Sequence, residues 1–340
     1  MTFASIIGQQ DIKHRLGHAL SGNPGHAFLF LGARGTGRSH IAWRFAAALL
    51  CQQPDKNGAC GQCRSCRYMQ QGVHPDYRVL RAREKEKLIP VELVRRSVSA
   101  DVYLRSQISQ RKVYLIALDD LNEQGQNALL KSLEEPPPFV VFLLTASAAD
   151  RLLPTLLSRA VVMQIGRYTP AEIMEILHER QLDKQESAAF FSRFSHGVPG
   201  VAIELAESDW FHELRTDTFR FFEQLSRESR ASLLTTGFAF LDQNRPVLDD
   251  ILQILGSMIR DLMMLAGRFT ASQLINEDYA DLLRKAADQL SNNKERDWRE
   301  RLSTAYQAII SARRALSLNG SFEVLACNLI LALRKELIYA

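Results

Sequence analysis

The stretch HAFLFLGARGTGRS (residues 26–39) decides the fold of this 340-residue chain. It joins an apolar run, His26–Leu31, to a glycine-rich octapeptide, Gly32–Ser39, and the helical pattern Ile41–Leu50 follows. A buried strand, a glycine turn and a helix in this order form the context of a phosphate-binding loop of the Walker A type. Its glycines let backbone N–H groups face phosphate oxygens, and the helix N-terminus adds a favourable dipole. The stretch therefore predicts a nucleotide-binding α/β domain.

The loop departs from the motif at one position, because Arg38 stands where a lysine is expected. A planar guanidinium is bulkier than an ammonium and aims its donors differently, so the replacement is not conservative. We expect a degenerate loop that does not support efficient phosphoryl transfer, which leaves binding of ATP and magnesium open. A glycine turn without a ligand is the alternative. The candidate phosphate-binding residues are Gly32, Gly35, Gly37, Arg38 and Ser39.

Strand-like and helix-like patterns alternate outward from this stretch. Further strands are predicted at Val113–Leu118, Phe139–Thr145 and Val161–Ile165. A helix over Asn122–Leu133 separates the first two and ends before three consecutive prolines, Pro136–Pro138. Strands separated by helices predict a mostly parallel sheet with helices on both faces, whose ligands sit at the carboxyl ends of the strands.

The strand patterns stop after Gly166. The tetrapeptide Thr169–Glu172 is a capping box with proline at the first helical position, so a helix is predicted to begin there. From about Asp209 onward the pattern is purely helical. We therefore expect an α/β domain over residues 1–166, a small helical lid over 167–208 and a helical C-terminal domain over 209–340.

An acidic pair, Asp119-Asp120, follows the second predicted strand, where a magnesium-holding carboxylate is expected in an active nucleotide site. The strand Val113–Ile116 would end before Ala117, which leaves both carboxylates beyond the expected position. We expect them instead to cap the following helix or the turn that leads into it. Together with Arg38, this displacement indicates a domain that kept the nucleotide-binding fold but lost the ability to hydrolyse ATP.

Four cysteines lie between the first helix and the second strand. Cys51, Cys60, Cys63 and Cys66 supply four soft ligands in a short loop that contains glycine, a spacing that favours tetrahedral zinc. A disulfide pair and a redox C-x-x-C motif are the alternatives. No signal peptide precedes the cluster, so we expect a reducing cytoplasm that favours metal. A site filled by four sulfurs is closed and structural. A fifth cysteine, Cys327, is predicted to lie in the core.

Composition limits the other function classes. No apolar run approaches the length of a membrane span, so we expect a soluble protein. The net charge of +4 is too small to indicate a nucleic-acid binder by itself. The segment Arg78–Arg96 carries seven Lys or Arg and three Glu, and a solvated helix face explains this excess as well as DNA binding does.

Several motifs together resemble those of AAA+ clamp-loader subunits. The resemblance rests on NALLKSLEEPP (residues 127–137), IGQ (residues 7–9), LPTLLSR (residues 153–159) and the cysteine module. The segment GVHPD (residues 72–76) is similar to one particular subunit type of that family, apart from its motors. These motifs lie within the first 200 residues, and across the helical remainder the resemblance is weak.

The resemblance implies a RecA-like AAA+ domain, a helical lid and a helical collar domain for oligomerisation. It further implies a pentameric loader that opens a ring-shaped sliding clamp and places it on primed DNA. The implied partners are other loader subunits and, through the complex, the sliding clamp and primer-template DNA, with no membrane involved. No polymerase active site is indicated in this chain.

The resemblance also assigns a role to Arg159. The family's Ser-Arg-Cys motif supplies an arginine finger to ATP bound by a neighbouring subunit, and here Ser158, Arg159 and Ala160 occupy those positions. The guanidinium can neutralise charge that develops on the transferring phosphoryl group, so Ala160 leaves the role intact. The alternative is a surface arginine at the start of a strand.

Active motors of the family usually carry a basic residue just after Gly-x-Pro-Gly, where this chain has Val201. Arg38, the displaced acidic pair and Val201 favour a non-hydrolysing subunit, a stator, that completes its neighbour's site. The main alternative is an active ATPase in which Arg38 replaces the lysine and Asp119 or Asp120 holds magnesium. A zinc-dependent DNA-binding protein is a third and weaker possibility, because the cysteine loop lacks interleaved aromatic and basic residues.

Overall fold

The structure, a computed structural model, describes the whole chain except residues 23, 84–85, 184–186, 271–272, 293–296, 319 and 338–340. The chain divides into two compact units. The first unit comprises Met1–Glu179 and Ser195–Val201, and the second comprises Arg180–Phe194 and Ala202–Ala340. The domain bounds expected at residues 166 and 208 stay a prediction. Within the part of the chain that the structure describes, no helix is both long and apolar enough to cross a membrane.

The first unit contains a five-stranded sheet in the order β2-β3-β4-β1-β5, and every pairing is parallel. The strands are β1 (Ala27–Leu31), β2 (Tyr77–Leu80), β3 (Lys112–Ala117), β4 (Val140–Ala146) and β5 (Val161–Gln164). Because β1, β3 and β4 each have neighbours on both sides, they are nearly continuous runs of buried residues. The predicted parallel sheet is therefore confirmed.

β2 lies in a segment where the sequence suggested a solvated helix face. This edge strand pairs with β3 alone, placing Tyr77 beside Val113, and its two middle residues, Arg78 and Val79, are exposed. A four-residue edge strand of this kind has no clear alternation of apolar and polar residues, which is why the pattern did not indicate it. Among the described residues after β2, the short helix Val91–Val94 and the π-helical turn Arg95–Ser99 follow.

Helices cover both faces of the sheet, as expected. In β1, Phe28 and Phe30 pack on one face with Phe45, whereas Leu29 packs on the other face with Leu129. This alternation follows from the two-residue side-chain period of a strand. The helices of the first unit are α1 (Gln10–Ser21), α2 (Arg38–Leu50), α3 (Arg64–Gln70), α4 (Val91–Val94), α5 (Glu123–Glu134), α6 (Pro154–Leu157) and α7 (Pro170–Glu179).

The predicted capping box at the start of α7 is present. Glu172 Oε2 accepts a hydrogen bond from the backbone N–H of Thr169 at 2.7 Å, and the N–H of Glu172 donates to Thr169 Oγ1 at 3.2 Å. Two N–H groups that the helix leaves unpaired are thereby satisfied reciprocally. The helix begins at Pro170, as the sequence predicted.

Helices alone make up the regular structure in the described residues beyond β5. They are α8 (Ala188–Phe194), α9 (Pro199–Ala206), α10 (Asp209–Arg227), α11 (Arg230–Gln243), α12 (Leu248–Ala266), α13 (Ala280–Asn292), α14 (Trp298–Ser317) and α15 (Phe322–Leu337). A parallel-sheet domain followed by small helices and an all-helical region is the AAA+ architecture expected from the sequence.

The second unit is held together partly by a buried arginine on α10. Arg215 is 5% exposed, donates to both carboxylate oxygens of Asp278 at 2.7 Å, and stacks on the ring of Phe190 at 3.7 Å. Pairing with Asp278 compensates the cost of burying the guanidinium. One prediction for this unit was wrong, because Cys327 on α15 is only partly buried. It lies toward the outer side of an amphipathic helix rather than on its core face.

Candidate functional site

The glycine-rich loop lies between β1 and α2 at the carboxyl edge of the sheet. Gly35 and Gly37 have φ values of 88° and 83°, a region that side chains other than glycine rarely adopt. Gly37 is also the N-cap residue of α2. Gly32 donates its N–H to the carbonyl of Ala146 on β4 at 3.1 Å, which ties the loop to the neighbouring strand, and Ser39 is exposed. The five candidate phosphate-binding residues thus lie together in the loop and the first turn of α2.

Arg38 is directed back into the loop. Its Nη1 donates to the carbonyl of Gly32 at 2.8 Å, and its Nη2 lies 2.5 Å from Oδ2 of Asp119. Oδ1 of Asp119 in turn accepts hydrogen bonds from the N–H and the hydroxyl of Ser147, at 2.9 and 2.8 Å. The side chains of Arg38 and Asp119 are only 14% and 22% exposed. The charge that would bind a phosphate and the charge that would bind magnesium therefore neutralise each other.

The acidic pair lies beyond β3, which ends at Ala117. The capping role predicted for it is wrong for α5, because Asn122 caps that helix and its Oδ1 accepts the N–H of Gly125 at 2.8 Å. Asn122 directly precedes the helix, so its side chain reaches the first turn more easily. Asp120 Oδ2 instead accepts the N–H of Ala82 at 2.8 Å, after β2.

The segment Ser195–Val201 lies directly against the loop within the first unit. Gly200 donates its N–H to the carbonyl of Gly35 at 2.8 Å. The two glycines are so close that a Cβ built on Gly200 would lie 2.8 Å from Cα of Gly35, and one built on Gly35 would lie 2.9 Å from Val198. Val201 is 37% exposed and carries no charge toward a phosphate. This segment fills space beside the loop.

The four cysteines form a compact cluster that could bind a metal ion. Their sulfur atoms all lie within 4.8 Å of one another, and three Sγ–Sγ distances are 3.6 Å (Cys51–Cys66), 3.9 Å (Cys51–Cys63) and 3.9 Å (Cys60–Cys66). Four sulfurs at about 2.3 Å from a tetrahedral zinc lie about 3.8 Å apart, and a disulfide needs about 2.05 Å. The donor set and spacing thus fit zinc and exclude disulfides in this conformation.

Backbone N–H groups and burial set the protonation of the cluster. The N–H of Gln62 lowers the pKa of Cys60 to about 6, whereas burial raises the pKa values of Cys51 and Cys66. Two of the thiols thus stay protonated at neutral pH unless a cation stabilises their thiolates. A metal bound here would release protons, and its affinity would fall in acid.

A buried polar network attaches the cysteine module to the sheet. His74 is 4% exposed, and its Nδ1 accepts the N–H of Asp76 at 3.1 Å, so Nε2 carries the proton and donates to Ser65 Oγ at 2.7 Å. Ser65 Oγ donates to the carbonyl of Leu50 at 2.6 Å, at the end of α2. Asp76 accepts three N–H groups from residues 107–109. The motif at residues 72–76 therefore has a structural role.

Arg159 lies in the short connection between α6 and β5, two residues before the first residue of β5, and its side chain is 32% exposed. Its Nη1 donates to the carbonyl of Thr155 at 2.7 Å, and its Nη2 donates to Glu134 Oε1 at 2.7 Å. The ion pair with Glu134, which is 48% exposed, contributes little to stability because water screens it.

Arg159 and the glycine-rich loop lie at opposite ends of the strands: Arg159 at the amino edge of the sheet, where the strands begin, and the loop at the carboxyl edge, where they end. β5 runs parallel to β1, with Val161 beside Phe28 and Gln164 beside Leu31. Arg159 precedes this paired stretch and Gly32 follows it, so about 13 Å of strand separates the two edges. Arg159 is therefore poorly placed to act on a nucleotide in its own loop.

Sequence reasoning missed two partners of the candidate residues. Glu134 lies within the motif at residues 127–137, but nothing in the sequence connects it to Arg159, 25 residues later. Ser147 follows β4, and only the parallel register of β3 and β4 brings it to Asp119. Asp119 and Ser147 both follow the ends of adjacent parallel strands, and this shared position is the signal that could have indicated their contact.

Comparison with known proteins gives the same family as the motifs. A family model described as DNA polymerase III, delta subunit, matches residues 8–169, just under half of the chain. The delta' subunit of DNA polymerase III from Pseudomonas aeruginosa is 46% identical over 137 residues, which cover 40% of this chain and 42% of that protein. The delta' subunit from Escherichia coli is 32% identical over 202 residues, which cover 58% and 60% of the two chains.

A motor-type relative also matches. The tau/gamma subunit of DNA polymerase III from Haemophilus influenzae is 34% identical over 191 residues, which cover 56% of this chain and 27% of that protein. The chain thus spans from about a quarter to three fifths of the length of these three relatives. Its resemblance to delta' subunits is confirmed.

Proposed function

We propose, with the similarity to delta' subunits of DNA polymerase III as premise, that this chain is a clamp-loader subunit of a bacterial DNA polymerase III holoenzyme. In DNA replication it acts as a non-hydrolysing stator that donates Arg159 to the ATP site of a neighbouring subunit during sliding-clamp loading. One observation carries the stator assignment: Arg38 pairs with Asp119 inside the loop, which leaves neither charge for a nucleotide or its magnesium.

Charge and placement support this role of Arg159. As γ-phosphate leaves, negative charge spreads over its oxygens, and a guanidinium supplied by another subunit neutralises that charge. Arg159 is partly exposed and lies at the sheet edge away from its own loop, both of which support action on a neighbour. The nucleotide and the attacking water belong to that neighbour.

The cysteine cluster is proposed to hold structural zinc through Cys51, Cys60, Cys63 and Cys66. When bound, zinc supplies a cross-link and no chemistry, because four sulfurs fill its coordination. Removing it should loosen residues 51–66, while the buried central strands stay folded. Hydrogen exchange before and after chelation at neutral pH, with metal analysis of the same sample, measures this. Global unfolding on chelation would contradict the proposal.

The remaining assignments depend on the complex. The other loader subunits, of gamma/tau and delta types, are the proposed direct partners, and the helical residues 209–340 are the proposed oligomerisation collar. The sliding clamp and primer-template DNA are met through the assembled loader. The proposed compartment is the cytoplasm.

The stator assignment is tested by calorimetric titration of the zinc-loaded chain with ATP and magnesium. We expect no binding at millimolar nucleotide, because Arg38 is paired with Asp119 and Gly200 is hydrogen-bonded to Gly35 of the loop. Clear micromolar binding would contradict a loop that is blocked by its own Arg38–Asp119 pair. An ATPase motor subunit titrated in the same buffer is the control that the ATP is competent to bind.

An active motor is the second candidate, favoured by the 34% identity to a tau/gamma subunit. It requires Arg38 to leave Asp119 and bind phosphate, while Asp119 binds magnesium. ATP turnover by the isolated chain separates the two candidates, because a stator turns over no ATP by itself.

A further inference from the structure

Arg159 is fixed on one side and open on the other. Nη1 donates to the carbonyl of Thr155 at 2.7 Å and lies 3.4 Å from the hydroxyl of Ser158. Nη2 donates one hydrogen bond, to Glu134. Among the residues that the structure describes, none accepts a hydrogen bond from Nε. Since a guanidinium has five N–H donors, Nε and one N–H of Nη2 are left for a group outside the chain.

Glu134 is an unfavourable residue for the helix that carries it. It is the last residue of α5, where the helix dipole disfavours a carboxylate. The next residue, Glu135, is also exposed and forms no ion pair with any described residue. Helix stability therefore does not explain Glu134, whereas its 2.7 Å contact with Arg159 gives it a specific task.

We propose that Glu134 is a positioning residue for Arg159, an inference that rests on the arginine-finger function proposed above. With Thr155 it holds the guanidinium from two sides and leaves Nε and the remaining Nη2 hydrogen without a partner among the described residues. An arginine held in its working orientation loses less freedom when it meets a phosphate than one that must be ordered first. Glu134 thus acts on the neighbour's reaction through Arg159 and touches no nucleotide.

The contact is suited to this task because it is partly exposed. An ion pair with 32% and 48% exposed side chains adds little to stability, so its loss should not unfold the chain. Glu134→Gln keeps the shape and an acceptor oxygen but removes the charge. Glu135→Gln makes the same change one residue later and is the matched control.

The test uses loader reconstituted with the full chain, carrying Glu134→Gln, Glu135→Gln, Arg159→Ala, or Glu134→Gln with Arg159→Ala. Steady-state ATP turnover is measured against ATP concentration. We expect Glu134→Gln to lower kcat by about tenfold with KM unchanged, because a small misplacement of a catalytic group weakens only the transition state. Glu135→Gln should match the unaltered loader. In the Arg159→Ala background, Glu134→Gln should have no further effect.

The possible failures are distinguishable. If Arg159→Ala slows turnover and Glu134→Gln does not, the positioning role is overturned and the proposed function stands. If Glu134→Gln slows turnover equally with and without Arg159, it acts by another route and the inference is wrong. If Arg159→Ala has no effect, the arginine-finger function itself fails. Equal subunit content of each loader is checked by gel filtration.

Discussion

The two edges of the sheet in the first unit each carry an arginine, and the two are used differently. Arg38, at the carboxyl edge, is 14% exposed and bonds to Asp119 and to its own loop. Arg159, at the amino edge, is 32% exposed and bonds to Glu134, with donors left over. Each arginine forms an ion pair with a carboxylate, so ion pairing does not distinguish their roles. Exposure, and a position away from the glycine-rich loop of its own subunit, decide which arginine can serve another chain.

The strongest test of this comparison is Arg159→Ala in the assembled loader. Turnover at the site that Arg159 completes should fall by a factor on the order of 10³, since arginine fingers contribute 10³–10⁵. The isolated chain should stay folded, because the side chain makes only partly exposed contacts. Single-turnover ATP hydrolysis by the complex measures the effect.

Arg151→Ala is the control for that change, because Arg151 is exposed on the same connection between β4 and α6. It should leave turnover unchanged. Equal loss from both variants would mean that positive charge in general, rather than Arg159, supports the neighbour's reaction, and the contrast between the two edges would disappear.

A second test asks whether other charged residues at the amino edge of the sheet are as exposed to solvent and to partners as Arg159 is. Asp76 directly precedes β2 at that edge, yet it is 1% exposed and accepts three N–H groups. Asp76→Ala leaves these part-buried donors unpaired and should lower the free energy of unfolding by about 3 kcal/mol. Denaturant unfolding measures it against Asp150→Ala, an exposed aspartate. A change below about 1 kcal/mol would show that water replaces the carboxylate.

The neighbouring His74 should make stability depend on pH. Burial lowers the pKa of His74, although the carboxylate of Asp76 opposes the shift. The unfolded chain therefore binds a proton at higher pH than the folded one. Stability from this group is complete above about pH 6.5 and falls as the pH drops below it, by at most about 1.4 kcal/mol per pH unit.

Urea unfolding at pH 7.5 and 5.5, with zinc content checked, measures that dependence. His74→Gln cannot titrate, so the difference between the two pH values should shrink in this variant. The same difference in both proteins would assign the acid sensitivity to other groups, such as the cysteine cluster.

The smallest expected effect concerns Arg38 in the glycine-rich loop, at the carboxyl edge of the sheet. Arg38→Lys restores the residue that a working loop carries, but Asp119 remains bonded to Ser147, and Gly200 remains on Gly35. ATP affinity should therefore change by less than about tenfold, or about 1.4 kcal/mol. Titration with ATP and magnesium measures this. Strong binding by the variant would mean that Arg38 alone closes the loop.

Most of the fold was predictable because its signals are local. The glycine loop, the capping box at Thr169–Glu172 and the buried central strands each follow from adjacent residues and simple periodicity. β2 was not predictable, since a four-residue edge strand with exposed middle residues resembles a loop. The acidic pair was misassigned because Asn122, a better cap, follows it by two residues.

The candidate sites were predictable only as lists of residues. The cysteine spacing indicated a cluster, and the structure brings the four sulfurs together. No sequence pattern indicated that Arg38 would contact Asp119, 81 residues away, or that Arg159 would contact Glu134. Such pairs depend on strand order, which a single sequence does not specify.

The helix α2 begins at Arg38 and ends at Leu50, and Cys51 of the cysteine cluster follows directly. Thirteen residues at about 1.5 Å each make a helix about 20 Å long, with one end in the glycine-rich loop and the other at the cysteine cluster. A helix held at both ends cannot shift or rotate independently of the two sites that it connects. A metal bound by the cysteine cluster would therefore act as a remote anchor for the loop, and a fluorescent reporter beside the loop should register loss of that metal.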